Sequence, residues 1–307
     1  MSLNILIVGI GARESAMIRN LSKHNTNNIY CYVPYMHPCV KKYAKNHLLF
    51  TNNALDFEKC KTYCLINKIK LVVIGSENYI NTGLSEYLES SIEGLTCICP
   101  SLSTSQIETS KYYARSLLKS DPVLNQYNPD FMRVDKKTIF SEIITFIKKY
   151  DNNVVVKANG LYSGKGVKVF GIHMFTKIEI IDTIDEILNN GDYVVLEEKI
   201  DSDNEFSFIS ITDKVNVQHT FPIKDFKRLH DGNTGPNTGS MGCLFDSEGL
   251  SYVRPKHIKE AEDINERVIK LLNERDGGYK GFLYGSFIID ERGNLKVIEF
   301  NSRLGDP

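Results

Sequence analysis

Short apolar runs alternate with glycine turns and helical patterns along the first hundred residues. The run Leu3–Val8 is too short for a helix, and it ends in a Gly-Ile-Gly turn, after which apolar residues recur at helical spacing. Two further apolar runs, at residues 70–74 and 96–99, lie on either side of a second helical stretch. Strands that alternate with helices are typical of a parallel sheet with helices on both faces. We therefore predict an N-terminal α/β domain over residues 1–104.

The pattern changes after residue 131. Beyond residue 104, periodicity predicts helices at 110–118, 139–147, 178–188 and 258–272. It predicts strands at 154–157, 167–170, 193–197, 205–212, 215–221, 282–290 and 295–300. In the helix at 110–118, Lys111 and Arg115 stand four residues apart on one face. A glycine loop at 160–166 and a long polar loop without regular structure at 225–242 interrupt the later elements. We expect a small α+β lobe over residues 105–197 and a larger lobe over residues 198–307.

The composition is that of an ordinary soluble protein. Of 307 residues, 42% are apolar and 24% are charged, and 37 basic side chains balance 38 acidic ones, so no net field attracts nucleic acid or an anionic membrane. Apolar runs fall short of the roughly 18 residues that span a bilayer, and no signal-peptide pattern is present. The seven cysteines lack zinc-ligand spacing. We expect a cytoplasmic protein with reduced thiols and with neither nucleic-acid nor membrane partners.

The glycine loop is the first candidate ligand site. Lys157 ends an apolar strand, and Gly160, Gly164 and Gly166 follow it around Lys165. Glycines let backbone N–H groups turn toward phosphate oxygens, and the two ammonium groups neutralise phosphate charge. A β-hairpin with surface lysines is the alternative. We favour nucleotide binding under a hairpin, because a strand follows the loop where a Walker loop would continue into a helix.

The strand near the end of the chain is a candidate metal site. Glu299 and Asn301 stand two apart, so their side chains point to the same face of a strand, and Arg303 adds a planar cation two residues later. A carboxylate and an amide oxygen suit Mg²⁺, which takes oxygen ligands and keeps other positions for water and phosphate. The alternative is an exposed strand end. We favour the metal site because a phosphate loop accompanies it.

A strand edge and two loops complete the set of candidate contacts. The segment 194–200 can offer backbone groups to an adenine, and Glu205 can hold ribose hydroxyls, although solvated acids at strand ends are common. The loop 225–242 is either a connection or a substrate site, and its length favours the second. The turn after the first strand departs from the dinucleotide-binding fingerprint, because Glu14 stands where the third glycine is due; Arg13 and Glu14 can still hold a phosphate or ribose.

Taken in order, these segments resemble the phosphoribosylamine–glycine ligase (glycinamide ribonucleotide synthetase) family, ATP-grasp enzymes of purine biosynthesis. The resemblance covers the whole chain and rests on ETSKYYAR, VVVKANGLYSGKGVKVF, VVLEEKI with EFSF, DFKRLHDGNTGPNTGSMG, GFLYGSFIID and VIEFNSRLGDP. The TGPNTGxMG and IEFNxRxGDP segments are specific to that family. The resemblance implies an N-terminal parallel-sheet (pre-ATP-grasp) domain followed by a two-lobed ATP-grasp domain.

The resemblance also implies a reaction. ATP, with Mg²⁺ or Mn²⁺, would phosphorylate the carboxylate of glycine, and the amine of 5-phosphoribosylamine would attack the resulting acyl phosphate. Catalysis would consist mainly of positioning and charge neutralisation. A monomer or homodimer is expected.

Site residues follow from matching positions. The ATP site would comprise Lys111, Lys157, Gly164, Lys165, Gly166, Glu197, Ile200 and Glu205. Glu299 and Asn301 would hold the metal, and Arg303, Arg228 and Asp225 would act on the reacting groups. Substrate contacts would come from Gly9, Gly11, Arg13, Glu14, Pro236, Asn237 and Thr238.

The chain departs from the family pattern at Ala12, Asn159, Phe226 and Asn233, and it stops where the family continues into a further domain. At Ala12 a methyl group is expected to intrude on a close backbone approach, and the other three exchanges remove a charge or a hydrogen-bonding group. Two alternatives follow from these departures: a nucleotide-binding protein with impaired catalysis, and a ligase for a different carboxylate and amine.

Overall fold

The computed structural model describes residues 2–50, 55–162, 166–191, 193–246 and 248–306. The first sheet is parallel, as the alternation of apolar runs predicts, with strand order β3-β2-β1-β4-β5. Its strands are β1 (Leu3–Val8), β2 (Asn27–Val33), β3 (Asn46–Leu49), β4 (Leu71–Ile74) and β5 (Thr96–Ile98). Its helices are α1 (Ala12–Leu21), α2 (Pro38–Tyr43), α3 (Phe57–Ile66), α4 (Glu77–Ile80) and α5 (Leu84–Ser91). Apolar clusters cover both faces of the sheet.

The strand order of this sheet reverses between β1 and β4, which are neighbours although they are not consecutive in the chain. Ligands of open parallel sheets bind outside the carboxyl ends of the strands at such a reversal. The segments that follow β1 and β4, which begin at Gly9 and Gly75, therefore meet at one edge. The sequence alone did not predict β2 or β3, and hence did not predict this order.

The next elements along the chain are the helices α6 (Gln106–Thr109), α7 (Lys111–Lys119) and α8 (Pro122–Asn125). A second sheet, antiparallel with order β6-β9-β7-β8, follows them. Its elements are β6 (Phe131–Val134), α9 (Phe140–Lys149), β7 (Val154–Ala158), β8 (Val167–Val169), α10 (Lys177–Asn189) and β9 (Val194–Glu198). One face packs on α9 and α10 through side chains that include Val154, Val156 and Leu196. Because side chains alternate along a strand, Lys157 and Glu197 point to the opposite face.

The third sheet is antiparallel, with order β15-β12-β10-β16-β17 and with β11 also paired to β10. The elements of this part of the chain are β10 (Glu205–Thr212), β11 (Val217–His219), β12 (Ile223–Asp225), β13 (Arg228–His230), β14 (Thr234–Asn237), β15 (Cys243–Phe245), α11 (Pro255–Asp276), β16 (Gly281–Ile289) and β17 (Leu295–Asn301). The long helix α11 packs on this sheet, and so does α7, through Ala114, Leu117 and Leu118. The limits at residues 104 and 197 expected from the sequence stay a prediction.

One segment differs from the expectation. Residues 225–242, predicted as a loop without regular structure, include the two-stranded ladder of β13 and β14. The side chains of both strands are mostly exposed, so no alternation of apolar and polar residues marks them in the sequence. Within the described residues, no helix is both long enough and apolar enough to cross a membrane.

Candidate active site

A cleft of about 2190 Å³ opens between the second and third sheets and reaches the edge of the first. The residues predicted from the sequence that line it are Arg13, Lys111, Lys157, Gly166, Glu197, Ile200, Glu205, Asp225, Arg228, Pro236, Asn237, Thr238, Glu299, Asn301 and Arg303. Gly164 and Lys165 lie outside the described residues. The cleft thus brings the glycine-loop strand and the last strand to one cavity.

Lys157 is held by a buried ion-pair network. Its Nζ lies 2.8 Å from Oε2 of Glu197, and that carboxylate also forms a two-point ion pair with Arg115, at 2.8 Å from Nε to Oε1 and 2.7 Å from Nη2 to Oε2. All three residues are at most 5% exposed. Burial alone would raise the pKa of Glu197, but Arg115 and Lys157 outweigh it and lower that pKa. Burial lowers the pKa of Lys157, and the attraction of Glu197 opposes that shift.

Lys111 joins the cleft from the first residue of α7. Its Nζ donates to the carbonyl of Gly160 at 2.8 Å, which ties the start of the glycine loop to the helix. Asn159 supports the same junction, because its Oδ1 accepts from the backbone N–H of Tyr112 at 3.2 Å and from the hydroxyl of Ser110 at 3.2 Å. The amide that departs from the family pattern therefore satisfies a helix N-terminus.

Glu299 and Asn301 point from β17 into the cleft. A register shift in the pairing of β16 with β17, between the partners of Glu299 and of Val297, leaves Ile298 in a β-bulge beside them. Bulges re-aim the side chains that flank them. Burial would raise the pKa of Glu299, but Lys227, Lys111, Lys157 and Arg303 lower it, so the carboxylate is ionised at neutral pH.

This pair fits a divalent ion. Among the described residues, neither the Glu299 carboxylate nor the Asn301 amide makes a side-chain hydrogen bond, so their oxygens are available as ligands. The described part of the chain has no group of three or more His, Cys, Asp or Glu side chains placed to bind a metal. A metal held by Glu299 and Asn301 would have coordination positions left for phosphate and water, which suits Mg²⁺.

The segment 225–242 folds back on itself at the cleft. Asp225 accepts a hydrogen bond from the hydroxyl of Ser240 at 2.5 Å, and Arg228 donates to the carbonyl of Gly235 at 2.8 Å. Thr238 donates to the carbonyl of Lys227 through both its backbone N–H and its hydroxyl. These contacts preorganise the predicted substrate loop. Phe226 is 47% exposed and lines the cleft.

Arg303 and Arg13 meet through acidic side chains that the sequence analysis missed. Nε of Arg303 lies 2.9 Å from Glu77 and 3.0 Å from Glu108, and Nη1 of Arg13 lies 3.8 Å from the same Glu77 carboxylate. Glu108 also accepts from the backbone N–H and the hydroxyl of Ser302. Burial lowers the pKa of Arg13, whereas the acidic partners raise the pKa of Arg303.

The turn after β1 lies behind this cluster. Glu14 is 1% exposed, and burial raises its pKa against the opposing effect of Arg13. A side chain at Gly75 would overlap the buried Glu14 carboxylate, so close approach requires glycine there, and one at Gly11 would meet the carboxylate of Asp306 at 2.6 Å. Gly9 is buried with a φ of +106°. The side chain of Ala12 is exposed at the start of α1, so its methyl group does not intrude here.

Sequence reasoning singled out neither Glu77 nor Glu108, and it noted Arg115 only as a helical neighbour of Lys111. Glu77 opens a short helix after β4, and Glu108 lies three residues before Lys111. No sequence pattern distinguishes a functional acidic residue on a short helix from one that is only exposed to solvent. Only the spacing of Lys111 and Arg115, one turn apart on α7, signalled a shared direction.

Comparison with known proteins agrees with this geometry. Residues 3–108 match the family model described as phosphoribosylglycinamide synthetase, N domain, and residues 109–307 match that of the ATP-grasp (A) domain. A phosphoribosylamine–glycine ligase of Methanococcoides burtonii is 32% identical over 307 residues, and that of Methanoregula boonei is 33% identical over 307 residues. Each alignment covers 99% of this chain and 68% of the relative.

Solved structures give the same result. The chain superposes on phosphoribosylamine–glycine ligase from Thermotoga maritima with a TM-score of 0.74 and 27% identity, over 99% of this chain and 70% of that one. The biotin carboxylase domain of Hydrogenobacter thermophilus 2-oxoglutarate carboxylase, solved with MgADP, shares the fold alone, at a TM-score of 0.72 and 19% identity over 99% of this chain and 64% of that one. Because the two family models together match residues 3–307, the chain belongs to the phosphoribosylglycinamide synthetase family of ATP-grasp ligases.

Proposed function

We propose that this chain catalyses the ATP-dependent ligation of glycine to 5-phosphoribosylamine, forming glycinamide ribonucleotide, ADP and phosphate. The observation that carries the proposal is the convergence of Lys111 and Lys157 with Glu299 and Asn301 in one cleft. Ammonium groups facing a carboxylate and an amide oxygen suit a triphosphate with its metal. The named activity of the relatives supplies the substrates.

Each part of the cleft has a task in this reaction. Lys111 and Lys157 would neutralise the phosphates, with Gly166, Gly164 and Lys165 covering them. Ile200 and Glu197 would border the adenine, and Glu205 would hold the ribose. Glu299 and Asn301 would hold Mg²⁺ or Mn²⁺, which when bound neutralises phosphate charge during transfer.

The remaining residues would serve the two other substrates. Arg228, Asp225 and Arg303 would orient glycine and its acyl phosphate, together with the loop of Pro236, Asn237 and Thr238. The amine substrate would approach from the edge of the first sheet, where Gly9, Gly11, Arg13 and Glu14 lie. Its amine attacks the acyl carbon of glycyl phosphate, the C–O bond to the phosphate breaks, and the amine loses a proton. A cytoplasmic location and a monomeric or homodimeric state stay predictions.

The test is a coupled assay of ADP release, with mass spectrometry of the product. We expect ADP and glycinamide ribonucleotide in equal amounts only when ATP, a divalent ion, glycine and 5-phosphoribosylamine are all present. Replacement of glycine by alanine tests the ligase for a different carboxylate, because Phe226 lines the cleft. Binding of MgATP without any product from these substrates would contradict the proposal and favour an impaired nucleotide-binding protein.

A further inference from the structure

Arg115 is a buried cation to which the proposed reaction assigns no task. It lies on α7 and is 3% exposed, and all three of its guanidinium nitrogens donate hydrogen bonds within the protein. Besides the two-point pair with Glu197, Nη1 donates to the carbonyl of Val297 at 2.9 Å and Nη2 donates to that of Ile298 at 2.7 Å. One side chain thus joins a helix, the second sheet and the last strand of the third sheet.

The charges of this network do not cancel in pairs. Oε2 of Glu197 lies 2.7 Å from Arg115 and 2.8 Å from Lys157, so a single carboxylate serves two cations. Without Arg115, the charge of Glu197 would cancel that of Lys157, and the two together would present no net charge to a triphosphate. With Arg115, the three side chains sum to one positive charge at the wall of the cleft.

The same contacts fix a distance. The carbonyl of Ile298 accepts from Nη2 of Arg115 and also from Nζ of Lys157, at 3.2 Å. Ile298 is the bulge residue that directly precedes Glu299. The arginine therefore helps to set the separation between the phosphate-binding lysine and the metal-binding carboxylate, which lie on different sheets.

We propose that Arg115 is a positioning residue of the nucleotide site. It neutralises Glu197, so that the charge of Lys157 acts on the triphosphate, and it anchors the bulge that carries Glu299. This inference rests on the proposed function, because it requires that Lys157 contacts ATP. An ion pair that serves only the fold would leave the nucleotide affinity of the folded protein unchanged.

The test measures the dissociation constant of MgATP by calorimetry, on the full chain and without glycine. We expect Arg115→Met to raise this constant at least about tenfold, because Glu197 then cancels the charge of Lys157. The double variant Arg115→Met/Glu197→Gln removes both members of the pair and leaves Lys157 with an unpaired charge, so we expect it to bind MgATP at least about threefold more tightly than Arg115→Met. Arg115→Lys keeps the charge and is expected to lie nearer the parent than Arg115→Met does.

Two results would overturn the inference: a folded Arg115→Met that binds MgATP within about twofold of the parent, or a double variant as weak as the single one. If Arg115→Met does not fold, Arg115→Gln, which also removes the charge of Arg115, takes its place under the same two criteria. Arg267→Met is the matched control. The Nε of Arg267 lies 2.7 Å from Oδ1 of Asp121, and this pair is outside the cleft, so the variant should bind MgATP as the parent does. Failure of the parent to bind MgATP would contradict the proposed function itself.

Discussion

At the scale of single residues, the cations of the cleft differ in how many of their donors are already used. Arg13 donates from Nε to Gly305 and from Nη1 to Gly75, and its Nη2 pairs with Asp306. A guanidinium that is satisfied inside the protein orients its neighbours more than it binds a ligand. The network of Lys157, Glu197 and Arg115 keeps one positive charge in excess, so we expect Lys157 to contribute more to nucleotide affinity than Arg13 does.

Replacing Lys157 by methionine tests this difference. The change removes the net charge of the network while it keeps most of the buried side-chain volume. We expect the dissociation constant of MgATP to rise at least about tenfold, equivalent to about 1.4 kcal/mol. Calorimetry gives the constant, and Lys256→Met is the control, because Lys256 lies outside the cleft at the start of α11 and donates to the carbonyl of Gly293. Equal affinities of the two variants would show that Lys157 does not face the phosphates.

Glu299→Gln removes the charge of the predicted metal ligand and keeps its shape. We expect about a hundredfold loss in kcat and a higher divalent-ion concentration at half-maximal activity, because the amide is a weaker ligand than the carboxylate. Titration of activity with Mg²⁺ and with Mn²⁺ measures both effects. Glu262→Gln on α11 is the control. An unchanged metal dependence would place the ion elsewhere.

At the scale of elements, the hairpin of β13 and β14 faces the second sheet across the cleft. Burial lowers the pKa of His173, and Arg228 and Lys168 lower it further. Neutral His173 accepts a hydrogen bond through Nδ1 from the backbone N–H of Val169 at 3.1 Å, a contact that protonation would abolish. The charge of Arg228 in the hairpin therefore affects the protonation of His173, and with it the hydrogen bond at the end of β8.

Arg228→Gln should therefore raise the pKa of His173, because one nearby cation is lost. Since the folded-state pKa lies below the unfolded value of about 6.5, the unfolded chain takes up the proton first. The stability contributed by His173 is thus present above pH 6.5 and is lost as the pH falls through the folded-state value. NMR titration measures the pKa, and a value unmoved by Arg228→Gln would separate the hairpin from His173. Lys177→Gln on α10 is the control.

Asn159 supports a second prediction about an element. Because its Oδ1 caps α7, Asn159→Ala should lower the free energy of unfolding by about 1 kcal/mol. Asn159→Asp restores the residue expected for the family and keeps the accepting oxygen, so it should be neutral or stabilising at this helix N-terminus. Urea denaturation compares the two variants. A similar loss of stability in both variants would mean that the donating NH₂ group of Asn159, which aspartate lacks, is the group that stabilises the protein.

At the scale of the whole molecule, the first sheet and the last strand are joined through Glu77. This carboxylate pairs with Arg303 and lies near Arg13, so it links the predicted amine side of the cleft to the predicted glycine side. The ion pair crosses from the segment after β4 to the end of β17. Removing Glu77 should therefore loosen one unit against the other and disturb both substrate sites.

We expect Glu77→Ala to lower the free energy of unfolding by about 1–3 kcal/mol, because Arg303 loses a partner in a mostly buried place. The KM for 5-phosphoribosylamine should rise more than that for ATP. Asp263→Ala, which breaks an exposed pair with Lys259, should cost less than about 1 kcal/mol. Equal changes in both KM values would argue against a specific link to the amine side.

Much of the fold and part of the candidate site could be predicted from local sequence pattern. Strand β1, helix α7, the glycine-loop strand and the final hairpin follow from apolar runs and turn residues, because burial on one face imposes a period on the sequence. The strands β13 and β14 were missed because exposed side chains impose none. Asn233 is a related case. It adopts a φ of +57° in the turn between these strands, a conformation that asparagine tolerates. From the sequence, the exchange of aspartate for Asn233 could be seen only as the loss of a charge.

The sequence by itself determined the parallel character of the first sheet, the final hairpin, the motifs of the family, and which side chains share a face of one strand, since these depend on neighbours along the chain. Tertiary structure alone decided that Arg115 shares Glu197 with Lys157, and that Glu77 joins Arg13 to Arg303. The pair of Glu77 with Arg303 connects residues 226 positions apart. Their charges and hydrogen bonds are balanced in space, and no spacing in the sequence records that balance.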